Sequence, residues 1–212
     1  MTQINWEHSI RDFVQQSSSA SPTPGGGSVA ALAAALGAAM TSMTCNLTQG
    51  EKYASIQPLV TETLAKMQHF IGQCEALLAA DIASFDTYMH AIKLPAGTEE
   101  EKTLRKQAIQ LAAIKAIDVP LELMKACKNG LESTNSIADA ANKNVISDLG
   151  IGAIMMKAAA ESALLTVQIN LNSLKDAELN RQYSDKANRL MEEIGTLHAQ
   201  TIKIVRMRIA GS

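Results

Sequence analysis

The sequence predicts an all-α protein, a single domain over residues 1–212 built as a bundle of long antiparallel helices. Apolar residues recur with a helical period between proline and glycine breaks, and no segment alternates as a strand does. Hydrophobic residues make up 47% of the chain and charged residues 19%, with a formal net charge of −2. This composition is typical of a globular protein and gives no general attraction for nucleic acid, so we expect no nucleic-acid partner.

Seven helices are predicted from start and stop signals along the chain. Thr98 and Glu101 form the capping-box pattern that opens the fourth helix. Val119-Pro120 is expected to kink or break that helix, because proline removes a backbone donor. Ser147 and Asp148 can cap the sixth helix. The predicted ranges are approximately 4–16, 28–49, 58–93, 98–119, 120–130, 147–175 and 176–208.

The segment between Asp12 and Glu51 has no charged residue, so a membrane span must be considered. Alanine and glycine dominate it and polar residues crowd its second half, which is weak for a span of about 20 apolar residues. Acidic residues precede it where a secretory signal carries basic ones. We expect instead a central helix whose small side chains let neighbouring helices approach closely. The sequence favours a cytoplasmic protein without a membrane partner, with its three cysteines as core thiols.

Two of the predicted helices are longer than the usual globular range of roughly 25 residues or fewer. Long helices without a large domain around them often pack across a subunit interface. We therefore expect a homodimer.

A glycine-rich loop, Pro24-Gly25-Gly26-Gly27-Ser28, precedes the alanine-rich helix. Three glycines cost backbone entropy that folding alone does not require. The N–H groups at the following helix start can bind an anion. The loop is either a tight connection over the end of the bundle or an element that lets a ligand approach the backbone.

Asp81 is the only charged residue on the apolar stripe of the third predicted helix. A buried carboxyl group acquires a raised pKa or a partner, and a raised pKa suits a general acid–base catalyst. The alternative is a structural role, in which Asp81 meets an Arg, a Lys or a helix N-terminus across the bundle. The periodicity of the stripe does not distinguish the catalytic role from the structural one. The stripe, in steps of three and four, is Leu64, Met67, Ile71, Cys74, Leu78, Asp81, Phe85, Tyr88 and Ile92.

Other ionisable residues give weaker signals. Lys157 and Glu161, one helical turn apart, are explained by an intrahelical pair. Capping explains Asp148 from the sequence alone. The four histidines are not spaced as metal ligands, so no metal site is expected; they are His8, His69, His90 and His198.

Several ordered motifs together resemble the cyclodeaminase/cyclohydrolase family of one-carbon folate metabolism, over nearly the whole chain. The most specific begins at Pro24 and runs through the three glycines to Ala30, and a second runs from Ala80-Asp81 to Leu94-Pro95. Three shorter motifs follow in the same order: Val119-Pro120-Leu121, Ser147-Asp148-Leu149-Gly150 and Ile169-Asn170-Leu171.

The resemblance implies an all-helical dimer, a tetrahydrofolate substrate with or without a polyglutamate tail, and no metal or other cofactor. It implies a catalytic role for Asp81 and substrate binding at the following residues: Gly25, Gly26, Gly27, Ser28 and Asp148. Bifunctional members of the family carry a further acidic residue where this chain has Ala79, which leaves a two-carboxylate mechanism open. Formiminotetrahydrofolate cyclodeaminase and methenyltetrahydrofolate cyclohydrolase are both compatible with the sequence. A non-catalytic folate-binding or scaffold protein is the alternative class.

Overall fold

The computed structural model describes residues 4–211, and over that range it contains α-helices and short 3₁₀ turns without a β-strand. The all-α fold class predicted from the sequence is confirmed. The helices are α1 (Ile10–Ser17), α2 (Gly26–Asn46), α3 (Gln57–Ala91), α4 (Glu99–Ile137), α5 (Ile146–Leu171) and α6 (Ala177–Ala210), with 3₁₀ turns at Glu51–Ile56 and Lys143–Val145.

Helices α2 and α5 pack against each other in antiparallel directions near the middle of the bundle. Helix α3 covers α2, α6 covers α5, and α4 contacts α3, α5 and α6. A Cβ atom added to Gly37 would lie 2.9 Å from the carbonyl oxygen of Gly152, and one added to Gly152 would lie 2.8 Å from that of Gly37. Small residues therefore let α2 and α5 approach closely, as the sequence predicts.

Both central helices are apolar. By length and composition alone, Gly26–Asn46 and Lys143–Leu171 would be able to cross a membrane. Each instead buries much of its surface against neighbouring helices of the bundle, which is also how the core helices of globular proteins behave. The three cysteines are buried in the same core.

The prediction that Pro120 breaks the fourth helix is wrong, because α4 continues through it as one helix of 39 residues. Proline has no N–H to donate to the carbonyl oxygen of Ala116, one turn earlier. The side-chain amide of Asn170, on α5, donates to that oxygen over 2.7 Å. A neighbouring helix thus supplies the donor that the proline lacks.

The predicted helix starts agree with the structure in part. Thr98 and Glu101 form the predicted capping box. The first helix begins only after Ser9, whose hydroxyl accepts from the backbone of Asp12, rather than at residue 4. The predicted cap at Ser147 and Asp148 is not formed, because a 3₁₀ turn leads directly into α5 and places both residues inside its first turn.

Candidate active site

Helix α2 begins at the glycine-rich loop, with Gly25 as its N-cap. Gly25 has extended backbone angles and supplies no side-chain cap, which leaves the first N–H groups of the helix without one. Positive φ among the described glycines occurs only at Gly50 and Gly211. The glycine triplet is therefore not required by a left-handed backbone.

Close approach explains one of the three glycines. A Cβ atom on Gly27 would lie 2.1 Å from Oδ1 and 2.6 Å from Cγ of Asp81, distances that real contacts do not reach. A Cβ atom on Gly26 would meet nothing within 4 Å. The first turn of α2 thus lies directly against the Asp81 carboxyl group, and only the hydrogen of Gly27 makes this contact possible.

Ser28 holds the same carboxyl group. Its hydroxyl donates to Oδ2 of Asp81 over 2.8 Å, and its backbone N–H donates to the carboxyl group as well. Ser28 itself is fully buried. These two donors fix the position of the Asp81 carboxyl group at the N-terminus of α2, where the helix dipole also favours negative charge.

Burial raises the pKa of Asp81, and the two hydrogen bonds from Ser28 oppose that rise without cancelling it. The residue is half-buried, between the buried Leu78 and Ile82 on α3. No cation in the described part of the chain compensates its charge. Of the partners that the sequence left open for Asp81, the structure shows a helix N-terminus. Because its pKa is raised, the Asp81 carboxyl group exchanges its proton at a pH closer to neutral than an ordinary aspartate does.

Asp148 lies at the other end of the bundle from Asp81. Thr44, near the end of α2, donates to the carbonyl oxygen of Val145 over 3.4 Å, so the start of α5 is beside the end of α2. Ser28 is on the order of 24 Å away along α2, at 1.5 Å per residue. Within one chain the structure therefore does not bring Asp148 together with the glycine-rich loop and Asp81, and a substrate-binding role for Asp148 stays a prediction.

The structure also describes other ionisable residues that the sequence singled out. Lys157 and Glu161 form the expected intrahelical pair over 2.8 Å. Burial and the charge of Lys157 lower the pKa of His198. No cluster of three His, Cys, Asp or Glu side chains able to hold a metal ion occurs in residues 4–211.

A cationic cavity lies beyond Asp81 and was missed from the sequence. Tyr88, on the same face of α3 as Asp81, donates its hydroxyl to Ser173 over 3.2 Å. Ser173 in turn lines a cavity of about 380 Å³, the cationic cavity. Its lining residues are Ala96, Lys102, Arg105, Lys106, Ile109, Gln110, Ser173 and Lys175. The sequence signal that could have indicated this cavity is the i, i+3, i+4 spacing of Lys102, Arg105 and Lys106.

Comparison with known proteins places this geometry in a family. The family model "Formiminotransferase-cyclodeaminase" matches residues 9–189. A methenyltetrahydrofolate cyclohydrolase of Methylorubrum extorquens is 34% identical, over 94% of this chain and 97% of that protein. The formimidoyltransferase-cyclodeaminase of Gallus gallus is 33% identical over 93% of this chain, which spans only 37% of that longer protein.

A solved structure supports the fold. The crystal structure of formiminotetrahydrofolate cyclodeaminase from Thermotoga maritima superposes with a TM-score of 0.85, covering 94% of this chain and 96% of that one at 23% identity. At that identity the likeness is evidence for the fold alone. The family model and the similarity to the Methylorubrum protein, together with this shared fold, show that this chain belongs to the formiminotransferase-cyclodeaminase family.

Proposed function

We propose that this protein is a one-carbon folate enzyme that acts through Asp81, and that it hydrolyses 5,10-methenyltetrahydrofolate. The observation that carries the choice of reaction is the similarity to the Methylorubrum cyclohydrolase, which runs through almost the full length of both chains. The geometry at Asp81 supports an enzymatic role but not one reaction over the other, because hydrolysis and ammonia release both need a group that takes up a proton and returns it.

Hydrolysis of the methenyl ring requires two proton transfers near one carbon atom. Water attacks the methenyl carbon and gives a proton to the Asp81 carboxylate, which leaves a neutral tetrahedral adduct. The bond from that carbon to N5 then breaks, N5 takes the proton from Asp81, and the hydroxyl proton of the adduct passes to solvent. The product is 10-formyltetrahydrofolate, with one proton released overall. A carboxyl group with a raised pKa, held by Ser28, is suited to both transfers.

The glycine-rich loop supplies the binding surface in this proposal. The N–H groups at the start of α2 point towards the ligand and favour partial negative charge there. Gly26 has open space around its Cα, so a flat ring can approach the backbone at that position. The pterin ring of the folate is proposed to lie there.

Cyclodeaminase activity is the second candidate, favoured by the family model and by the name of the Gallus relative. In that reaction N10 of 5-formiminotetrahydrofolate attacks the formimino carbon and loses its proton. The formimino nitrogen takes one proton from solvent and the proton lost by N10, and leaves as ammonia, which gives the 5,10-methenyltetrahydrofolate cation. The same carboxyl group would carry the proton from N10 to the leaving nitrogen.

Absorbance of the methenyl chromophore distinguishes the candidates. The purified protein is given 5,10-methenyltetrahydrofolate in one assay and 5-formiminotetrahydrofolate in another, with Asp81→Asn as the matched inactive control. Loss of the chromophore in the first assay, above the spontaneous rate, is expected for a cyclohydrolase, and its gain in the second identifies a cyclodeaminase. Binding of both folates without either change would contradict the enzymatic proposal and favour the non-catalytic class.

We propose further that the protein is a cytoplasmic homodimer, joined through an apolar face on α2 and α5. On α2 the exposed residues Val29, Leu36 and Leu47 recur at helical spacing, each between 45% and 49% exposed. Helix α5 exposes a similar row beside the same α2–α5 contact, which consists of Ile151, Ile154, Leu165 and Ile169. Soluble proteins rarely leave a contiguous apolar patch of more than a few hundred Å² uncovered.

Light scattering at low micromolar concentration tests this assembly. We expect twice the 22.6 kDa chain mass for the wild type. Leu36→Glu places a charge in the proposed interface and is expected to yield the monomer. Leu104→Glu, on the exposed surface of α4, is the matched control and is expected to remain a dimer. A well-behaved wild-type monomer would contradict the assembly.

A further inference from the structure

The cationic cavity collects positive charge at the end of the bundle where α3 ends and α4 begins. Lys102, Arg105 and Lys106 enter it from the first turns of α4, and Lys175 enters from the connection between α5 and α6. Two separate parts of the chain thus bring four cations to one concave surface. Like charges held together destabilise a fold unless an anion compensates them.

The acidic groups nearest in sequence are largely occupied elsewhere. Glu99 pairs with Lys102 over 2.7 Å. Glu101 accepts from the backbone N–H groups that precede α4, and Asp176 caps α6 by accepting from the N–H of Leu179. Within residues 4–211 the other three cations of the cavity have no ion-pair partner. Their charge is available to a ligand.

The cationic cavity is also placed in line with Asp81. Tyr88 follows Asp81 on the same face of α3 by about two turns, or roughly 10 Å. Its hydroxyl contacts Ser173, which belongs to the cavity wall, and Ala96, in the connection between α3 and α4, belongs to it too. A ligand that reacts at Asp81 and extends along this face of α3 would bring its far end to the cavity.

We infer that the cationic cavity binds the carboxylates at the glutamyl end of the ligand whose reacting end lies at Asp81. This inference rests on the proposed function, since a folate carries its glutamyl carboxylates one aminobenzoyl unit away from the reacting N10. Arg105 is half-buried, and its guanidinium group matches a carboxylate with two parallel hydrogen bonds. Lys106 and Lys175 add positive charge around Arg105. Each further carboxylate of a longer glutamyl tail is attracted by the same positive charges.

A cycle of variants and ligands tests the assignment without relying on turnover. Titration calorimetry at low ionic strength measures the affinities of tetrahydrofolate and of tetrahydropteroate, which lacks the glutamyl group. The double variant Arg105→Gln with Lys106→Gln is compared with the wild type. The control is Lys52→Gln with Lys143→Gln, which removes the same charge from a cavity at the opposite end of the bundle.

The wild type is expected to bind tetrahydrofolate about tenfold more tightly than tetrahydropteroate, since two exposed charge pairs supply about that much. The Arg105/Lys106 variant should bind the two ligands equally, with its affinity for tetrahydropteroate unchanged, whereas the control variant should keep the preference. Added salt should shrink the preference in the wild type.

A preference that survives in the Arg105/Lys106 variant would overturn the assignment and leave the proposed function intact. A wild type that binds neither ligand would overturn the proposed function, and the assignment with it. A final experiment repeats the binding measurements in the presence of inorganic phosphate. If millimolar phosphate removes the preference as completely as the variant does, the cavity is a site for small free anions and the glutamyl assignment is wrong.

Discussion

Gly27→Ala tests the contact between α2 and the candidate catalytic carboxyl group. The new methyl group would lie 2.1 Å from Oδ1 and 2.9 Å from Oδ2 of Asp81, so the carboxyl group must move by about 1 Å or more to restore ordinary contact distances near 3.5 Å. That movement breaks or stretches the 2.8 Å hydrogen bond from Ser28. A misplacement of 1 Å in a reacting group can cost about 10²-fold in rate, and we expect kcat to fall by that factor.

Gly72→Ala, inside α3, is the matched control, because its methyl group meets nothing within 4 Å and the residue lies outside the proposed binding loop. Alanine is favoured over glycine in a helix by about 0.8–1 kcal/mol, so this variant should melt slightly higher and keep near-normal turnover. Turnover is measured with the methenyl absorbance assay and folding by thermal melting on the same preparations. A Gly27→Ala protein with turnover within threefold of the wild type, or a Gly72→Ala protein equally inactive, would refute the reasoning.

Three further variants examine the carboxyl group and the continuity of α4. Asp81→Asn should lose about 10²–10⁴-fold in turnover, and near-normal turnover would remove the residue from the mechanism. The variant should also melt higher than the wild type at neutral pH. This gain should disappear in acid, because the raised pKa of Asp81 makes the wild type lose stability as the pH rises above the ordinary value of 3.8. Ser28→Ala removes the hydroxyl donor that lowers the pKa of Asp81 and keeps the backbone N–H, so the acid limb of the pH–rate profile should move to higher pH, and an unmoved limb would exclude the coupling. Asn170→Ala should cost about 0.5–1.5 kcal/mol in urea unfolding because it leaves the carbonyl of the half-buried Ala116 without a protein donor. Asn172→Ala, exposed at the end of α5, should cost little, and equal costs would count against the bond.

The start of α4 and the partly buried position of the Asp81 carboxyl group could be predicted because their signals are local. The capping box at Thr98 joins residues three positions apart, so a short stretch of sequence contains the whole interaction. Asp81 is conspicuous because its neighbours on the stripe are apolar. What it meets could not be predicted, since its partner Ser28 is 53 positions away in the chain.

What the sequence did not predict has the same origin. Pro120 has a strong local tendency to end a helix, but the carbonyl of Ala116 that it leaves without a helical donor is satisfied from 54 positions away, by Asn170. Asp148 occurs in a motif of the family, and only the antiparallel packing of α2 and α5 shows that it lies at the opposite end of the bundle from Asp81. The triplet of glycines predicts close approach without indicating that Gly27 is the residue that needs it.

The bond between Asn170 and the carbonyl of Ala116 also constrains how this sequence can diverge. As long as proline occupies position 120, selection for stability should preserve a donor at position 170, because the freed carbonyl has no helical partner. Relatives in which position 120 carries an ordinary N–H no longer need that donor, and their residue at 170 should vary freely. Positions 120 and 170 are therefore expected to change as a pair during evolution, with the loss of the proline preceding the loss of the asparagine.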